Sequence, residues 1–152
     1  MLLEKVCQLM IDIERFKKKD FAGLGIVIYE QSSLPISTLQ LNNNTIRLPI
    51  STYNEILKVL LEISTIQNPF HDGFHLISKD FELTHLSQYF STPIKYDAKI
   101  EYQFGSRYRT ALYGSFLHNV FACSVISNNH GPVVFKKGEK INPYDIIKNE
   151  KH

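Results

Sequence analysis

Asn68-Pro69-Phe70-His71-Asp72-Gly73-Phe74-His75-Leu76-Ile77-Ser78 is the stretch from which the fold is read. Its apolar run, ending in Leu76 and Ile77, predicts a buried strand, and the chain sets an imidazole, a carboxylate and a glycine immediately before it. Asp and Gly weaken strands, and a buried carboxylate is costly unless it is paired or bound to a cation. His71-Asp72-Gly73 at a strand's mouth is therefore either a turn or a site. A lone Asp-Gly is more often a turn. A second polar constellation further on, Gly105-Ser106-Arg107-Tyr108-Arg109-Thr110, favours the site.

Working outward, Ser51 is placed as the N-cap of a helix whose apolar face is Tyr53, Ile56, Leu57, Leu60, Leu61 and Ile63, ending near Ser64. After the strand, Lys79-Asp80 reads as a turn, and Phe81 to Leu86 alternates as a strand should, which suggests a hairpin. Upstream, Leu2, Leu3, Val6, Leu9, Met10, Ile13 and Phe16 recur at helical spacing, and Lys17-Lys18-Lys19 puts cations at the helix end. Phe21 to Tyr29 is a continuous apolar run, the mark of a central strand buried on both faces. Residues 37–47 read as loop, with Asn42-Asn43-Asn44 a polar turn and Ile46 and Leu48 a short strand before Pro49. Downstream, residues 91–101 are an irregular surface connection, and Arg107 to Leu117 is a helix opening after Gly105-Ser106. Val120 to Ile126 is a buried strand, Ser127 to Gly131 a turn, Val133 to Phe135 a short strand, Lys137-Gly138 a turn and Asn142 to Lys148 a last short helix. Several strands with helices on both sides predict an α/β domain with a mixed central sheet.

Composition sets the outer limits. The 152 residues, 43% hydrophobic and 12% aromatic, suffice for one core. The whole of 1–152 is read as a single domain with an N-terminal amphipathic helix, 1–19, packed on it. A formal net charge of +2 gives no broad field for nucleic acid or an anionic membrane, so no nucleic-acid partner is expected. Cys7 and Cys123, without metal-ligand spacing, read as reduced thiols. No apolar run approaches the roughly 20 residues of a membrane span, and residues 1–10 lack a leader's apolar core, so a cytoplasmic location is expected.

The chemistry resides in the two polar constellations. Residues 105–110 at a helix start offer backbone N–H groups, the positive end of the helix dipole, two hydroxyls and two guanidiniums, which is an anion site. Arg107 and Arg109 on one turn cannot both face solvent on the same side, so at least one turns toward a ligand or partner. With Asp72 holding a divalent cation between phosphates, the set describes a nucleoside triphosphate site without a Walker-type loop. No Gly-x-Ser-x-Gly elbow presents a nucleophilic serine, and the six histidines show no zinc spacing.

Three stretches, in order, resemble the motifs of the diadenylate cyclase (DAC, DisA_N-type) domain family. They are His71-Asp72-Gly73 after Pro69-Phe70, then Gly105 to Ala111, then Ile126-Ser127-Asn128-Asn129-His130-Gly131 followed by a short strand and Lys137-Gly138. The family shows a DGA motif preceded by His, a TRHRAA motif and an SEETG turn. Gly25-Ile26-Val27-Ile28 with Glu30 resembles its opening, so the likeness covers nearly the whole chain. The resemblance implies a mixed sheet flanked by helices that joins two ATP into cyclic di-AMP and releases pyrophosphate. By the same resemblance Asp72 binds Mg²⁺ or Mn²⁺ at the α-phosphate, helped by His71, and Gly73 allows close approach. Arg107 and Arg109 hold phosphates and act with Asp72 in catalysis, and Ser106, Thr110 and Ser127 supply hydrogen bonds. Phe74 and Tyr108 occupy motif positions beside the nucleotide. One domain holds one ATP, so cyclisation implies at least a transient homodimer with two sites face to face.

The sequence departs from the pattern at Phe74, where the family has alanine, at Tyr108, where it has the middle His, and at Asn128-Asn129, where it has an acidic pair. Leu117 and Val120 also stand where acidic residues are usual. Asn128 or His130 would have to replace the missing glutamate as a weaker metal ligand. Two functions follow: an active diadenylate cyclase, or a silent relative that keeps the pocket as a nucleotide or cyclic-dinucleotide sensor. Asp72 and Arg109 are expected to line one cleft; side chains pointing to opposite faces of the sheet would remove the basis of both.

Overall fold

A computed structural model describes residues 1–30, 38–40, 45–98 and 101–150. In chain order the elements are α1 (Leu2–Phe16), β1 (Leu24–Tyr29), β2 (Thr38–Gln40), α2 (Tyr53–Ile63), β3 (Phe74–Ser78), β4 (Leu83–Phe90), α3 (Ser106–Gly114), β5 (Val120–Ser127), β6 (His130–Lys136), β7 (Glu139–Ile141) and α4 (Pro143–Glu150). Short 3₁₀ turns at Pro69–His71 and Tyr102–Phe104 precede β3 and α3. The strands form one sheet in the order β2-β4-β3-β1-β5-β6-β7. β1 runs parallel to β3, Ile26 opposite His75 and Ile28 opposite Ile77, while the other pairings are antiparallel. The class is therefore α/β with a mixed sheet, as the alternation of strand-like and helix-like stretches predicts.

β1 has strands on both sides and helices on both faces, which is why all six of its residues are buried and its sequence is apolar without alternation. Leu24, Ile26 and Ile28, with Ile77, Ala122, Ile126 and Val134, pack on α1, α2 and α4 through Val6, Leu9, Met10, Ile13, Ile56, Leu60, Ile63 and Ile147. On the opposite face Val27, Tyr29, Leu76, Val125, Val133 and Phe135 meet α3 through Tyr108, Ala111 and Leu112, with Ala98, Phe104 and Leu117 packed beside them. Tyr53, at the first turn of α2, donates its hydroxyl to the Asp12 carboxylate and ties α2 to α1. Both cysteines are buried and free, and burial pushes the Cys7 thiol up to about 12.

Several local expectations shift. Thr52, not Ser51, is the N-cap of α2, without a side-chain hydrogen bond. Ile46 and Leu48 form no strand; they pack half-buried against the core, and pairing is confined to one bridge between Ile50 and Leu83. β2 and β7 add edge strands the residue pattern does not announce, and the Asn42 to Asn44 turn lies outside the described residues. β4 starts at Leu83, since Phe81 sits in the tight turn at φ +63, and it runs on to Phe90 through an irregular register at Ser87, φ +52. α3 stops at Gly114 instead of Leu117. Among the described residues no helix is long and apolar enough to cross a membrane.

Candidate functional site

The approach to β3 is built by local hydrogen bonds. Asn68 Oδ1 accepts from the Phe70 N–H at 2.9 Å, and Pro69 stands at the first position of the turn, where its missing N–H costs nothing. The Asn68 carbonyl accepts from His71 Nδ1 at 2.7 Å, so that nitrogen carries the proton and Nε2 is turned toward Asp72 Oδ1, 3.2 Å away. Gly73, at φ +77, then reverses the backbone into β3. The Asp72 side chain is 66% exposed, so the carboxylate stands in the open mouth and is not desolvated.

Facing this turn is the start of α3. Gly105 is its N-cap at φ +89, and beside it a Cβ would meet nothing within 4 Å. The first N–H groups of the helix lack a capping side chain, leaving them and the dipole available to an anion. Between the two lies an open cavity of about 370 Å³, lined by Asp72, Gly73, Phe74, Tyr89, Phe90, Ser106, Arg107 and Thr110. Ser106, Arg107 and Thr110 share one helix face by their spacing. The segments bearing the two constellations, remote in sequence, thus share one cleft.

The arginines separate. Arg107 Nη2 donates to the His71 carbonyl at 2.9 Å, and burial lowers the guanidinium's pKa while the nearby Asp72 carboxylate raises it. Arg109, two residues and about 200° further round the helix, is not among the residues lining the cavity. Of the two arginines expected at one cleft with Asp72, Arg107 lines this cavity and Arg109 is not among its lining residues, the two being about 200° apart in helix phase. Tyr108 points into the core: it is 2% exposed, its ring lies edge-on to Phe135 with centroids 5.0 Å apart, and it also contacts Phe104 and His130. Its hydroxyl donates to Glu101, which also pairs with Lys140. The middle position of the motif is thus a brace between α3 and β6–β7, away from the cavity.

Ser127 and Asn128 lie at the β5–β6 turn and do not line the cavity either. Ser127 Oγ accepts from the Asn129 N–H, and Asn128 Nδ2 donates to the Phe21 carbonyl at 3.0 Å. His130 is drawn onto Phe104 and Tyr108. Phe74 is core and cavity wall at once, edge-on to Phe90 at 5.4 Å and lying across Gly25. Two lining residues carry no motif signal: Tyr89, 55% exposed, and Phe90.

The divalent metal implied by the resemblance finds two donors here, the Asp72 carboxylate and the His71 Nε2 lone pair, 3.2 Å apart as neighbouring ligands of one cation are. Among the described residues no group of three or more His, Cys, Asp or Glu could hold a metal. One carboxylate and one imidazole suit an ion that completes its shell with water and phosphate oxygens, and do not make an all-protein cage.

No family model matches the chain, and no curated protein matches it by sequence. Solved structures do match in shape. A hypothetical membrane spanning protein from Bacillus cereus superposes with a TM-score of 0.66 at 18% identity, covering 89% of this chain and 59% of that one. The chain thus spans under two thirds of that protein's length. DacA from Staphylococcus aureus, in a double-mutant form, superposes with a TM-score of 0.64 at 17% identity, covering 97% of this chain and 91% of that one. The class these likenesses define is a fold: a single α/β domain with a mixed sheet, like that of DacA.

Proposed function

We propose that this chain is a nucleotide-binding domain that takes ATP in the cavity between the His71-Asp72-Gly73 turn and α3, and acts in the cytoplasm as a diadenylate cyclase. The observation that carries the proposal is the meeting of Asp72 and Gly73 with Ser106, Arg107 and Thr110 around one cavity of about 370 Å³, within the size range of small-ligand sites. The N-terminal turn of α3, with Ser106 and Thr110, would receive phosphate oxygens, and Arg107 adds positive charge beside them. Tyr89 offers an exposed ring to a base. Asp72 and His71 would hold Mg²⁺ or Mn²⁺, which when bound neutralises phosphate charge. Each 3′-hydroxyl would attack the α-phosphorus of the other nucleotide in line, with pyrophosphate leaving, so two copies must bring their open cavities face to face.

A second reading, nucleotide or cyclic-dinucleotide binding without turnover, is favoured by two placements: Arg109 lies off the cavity wall, and Asn128 is anchored to Phe21. Incubation with ATP and either Mn²⁺ or Mg²⁺, followed by chromatography, separates the two. Cyclic di-AMP that disappears in Asp72→Asn supports the cyclase, and saturable binding without product supports the sensor. Absence of both binding and product refutes the site.

A further inference from the structure

The Asp72 carboxylate is exposed and pairs with its neighbour His71, so its position follows the backbone of its turn. That backbone is held at three carbonyls. His71 Nδ1 holds Asn68 O, Arg107 Nη2 holds His71 O at 2.9 Å, and Ser87 Oγ donates to Asp72 O at 3.0 Å. The last two come from elements remote in sequence, α3 and β4.

Both are placed by unusual local structure. Ser87 is a non-glycine residue at φ +52, where the β3–β4 register slips, and is fully buried. The slip lets its N–H donate to His75 Nδ1 at 3.0 Å while its hydroxyl reaches Asp72. Arg107 lies over Gly23, where a Cβ would come within 2.6 Å of Nη1, so the glycine leaves the room the guanidinium occupies. A guanidinium with one arm on a main-chain carbonyl cannot also turn its full fork to a phosphate.

We infer that Arg107 and Ser87 are positioning residues: from α3 and β4 they clasp the carbonyls of His71 and Asp72, and so set where the Asp72 carboxylate and Gly73 stand in the cavity. This rests on the proposal that the cavity binds a nucleotide. A phosphate ligand and a clasp differ in how their loss depends on the ligand. Losing a phosphate contact costs more the more phosphates there are, whereas misplacing the turn costs every nucleotide alike.

The test is titration calorimetry of ATP, ADP and AMP in Mg²⁺ buffer against the wild-type chain, Arg107→Lys and Ser87→Ala, with amide NMR spectra of the ligand-free proteins. Lysine keeps the charge and loses the reach. Ser115→Ala serves as control, removing a buried hydroxyl that donates to Leu112 O at the far end of α3. Arg107→Lys and Ser87→Ala should each weaken all three nucleotides by a similar factor, about tenfold, and shift the Gly73 amide resonance, with Ser115→Ala within about twofold of wild type. The inference falls if the loss in Arg107→Lys grows with the number of phosphates, or if Ser87→Ala binds like wild type. Should Arg107→Lys not fold, Ser87→Ala and its Gly73 resonance decide alone. A wild-type chain that binds none of the three nucleotides removes the proposed function itself, and the inference with it.

Discussion

Gly25 and Phe74 form a pair whose energetics can be worked out in advance. They lie on neighbouring strands, β1 and β3, and a Cβ at Gly25 would stand 2.7 Å from two carbons of the Phe74 ring. Gly25→Ala in the wild-type chain overpacks this contact, and such insertions cost about 1–3 kcal/mol. Phe74→Ala removes a buried ring packed on Phe90, at about 3–5 kcal/mol. With the ring gone, the three atoms nearest that methyl are removed, and replacing glycine on an extended strand stabilises by about 0.4–1 kcal/mol through the unfolded chain. The effect of one methyl group should therefore change sign, with a coupling energy of about 1.5–4 kcal/mol between the two positions. Urea unfolding of the four proteins measures it. If Gly25→Ala costs the same in both backgrounds, the ring does not occupy the space above β1, and the account of why this cavity has a phenylalanine wall is wrong.

Acid should destabilise the fold through His75. Its burial, reinforced by the Arg107 charge, holds its pKa at about 3 against an ordinary 6.5. The unfolded chain takes up a proton below 6.5 that the folded chain refuses until about 3. Stability is thus intact above 6.5 and falls across that window by up to about 1.4 kcal/mol per pH unit. Urea midpoints at pH 7 and pH 4.5 check this, and His75→Asn, which keeps an acceptor near the Ser87 N–H, should show a shallower slope; an equal slope would assign the effect elsewhere. At the α1–α2 contact, Tyr53→Phe should cost about 1–2 kcal/mol for a half-buried hydrogen bond to a carboxylate, with no change in nucleotide affinity. An unchanged unfolding midpoint would mean water replaces that bond without loss.

What could be read from the sequence follows from how each signal is written. β1 is legible because burial on both faces leaves an uninterrupted apolar run, and the Gly73 turn because glycine and proline punctuate the chain on both sides of His71. β2 and β7 are three-residue edge strands with polar members, too short to show a period. Tyr89 and Phe90 stay hidden because the slip at Ser87 breaks the alternation of β4, so the pattern stops where the strand only changes phase. The two arginines look equivalent in sequence; the two-residue step between their positions is worth about 200° of helix phase, and that separates the one that lines the cavity from the one that does not. Tyr108 shows the converse, where a motif position reads as site but its ring is taken by the core.

The uneven covering of the sheet has an architectural outcome. α3, with nine residues, is about 13 Å long, whereas seven strands laid side by side span about 29 Å. The recess opens where that helix begins, beside the start of β3. Gly105, at φ +89, ends the helix on that side and so sets where its uncapped N–H groups stand over the recess.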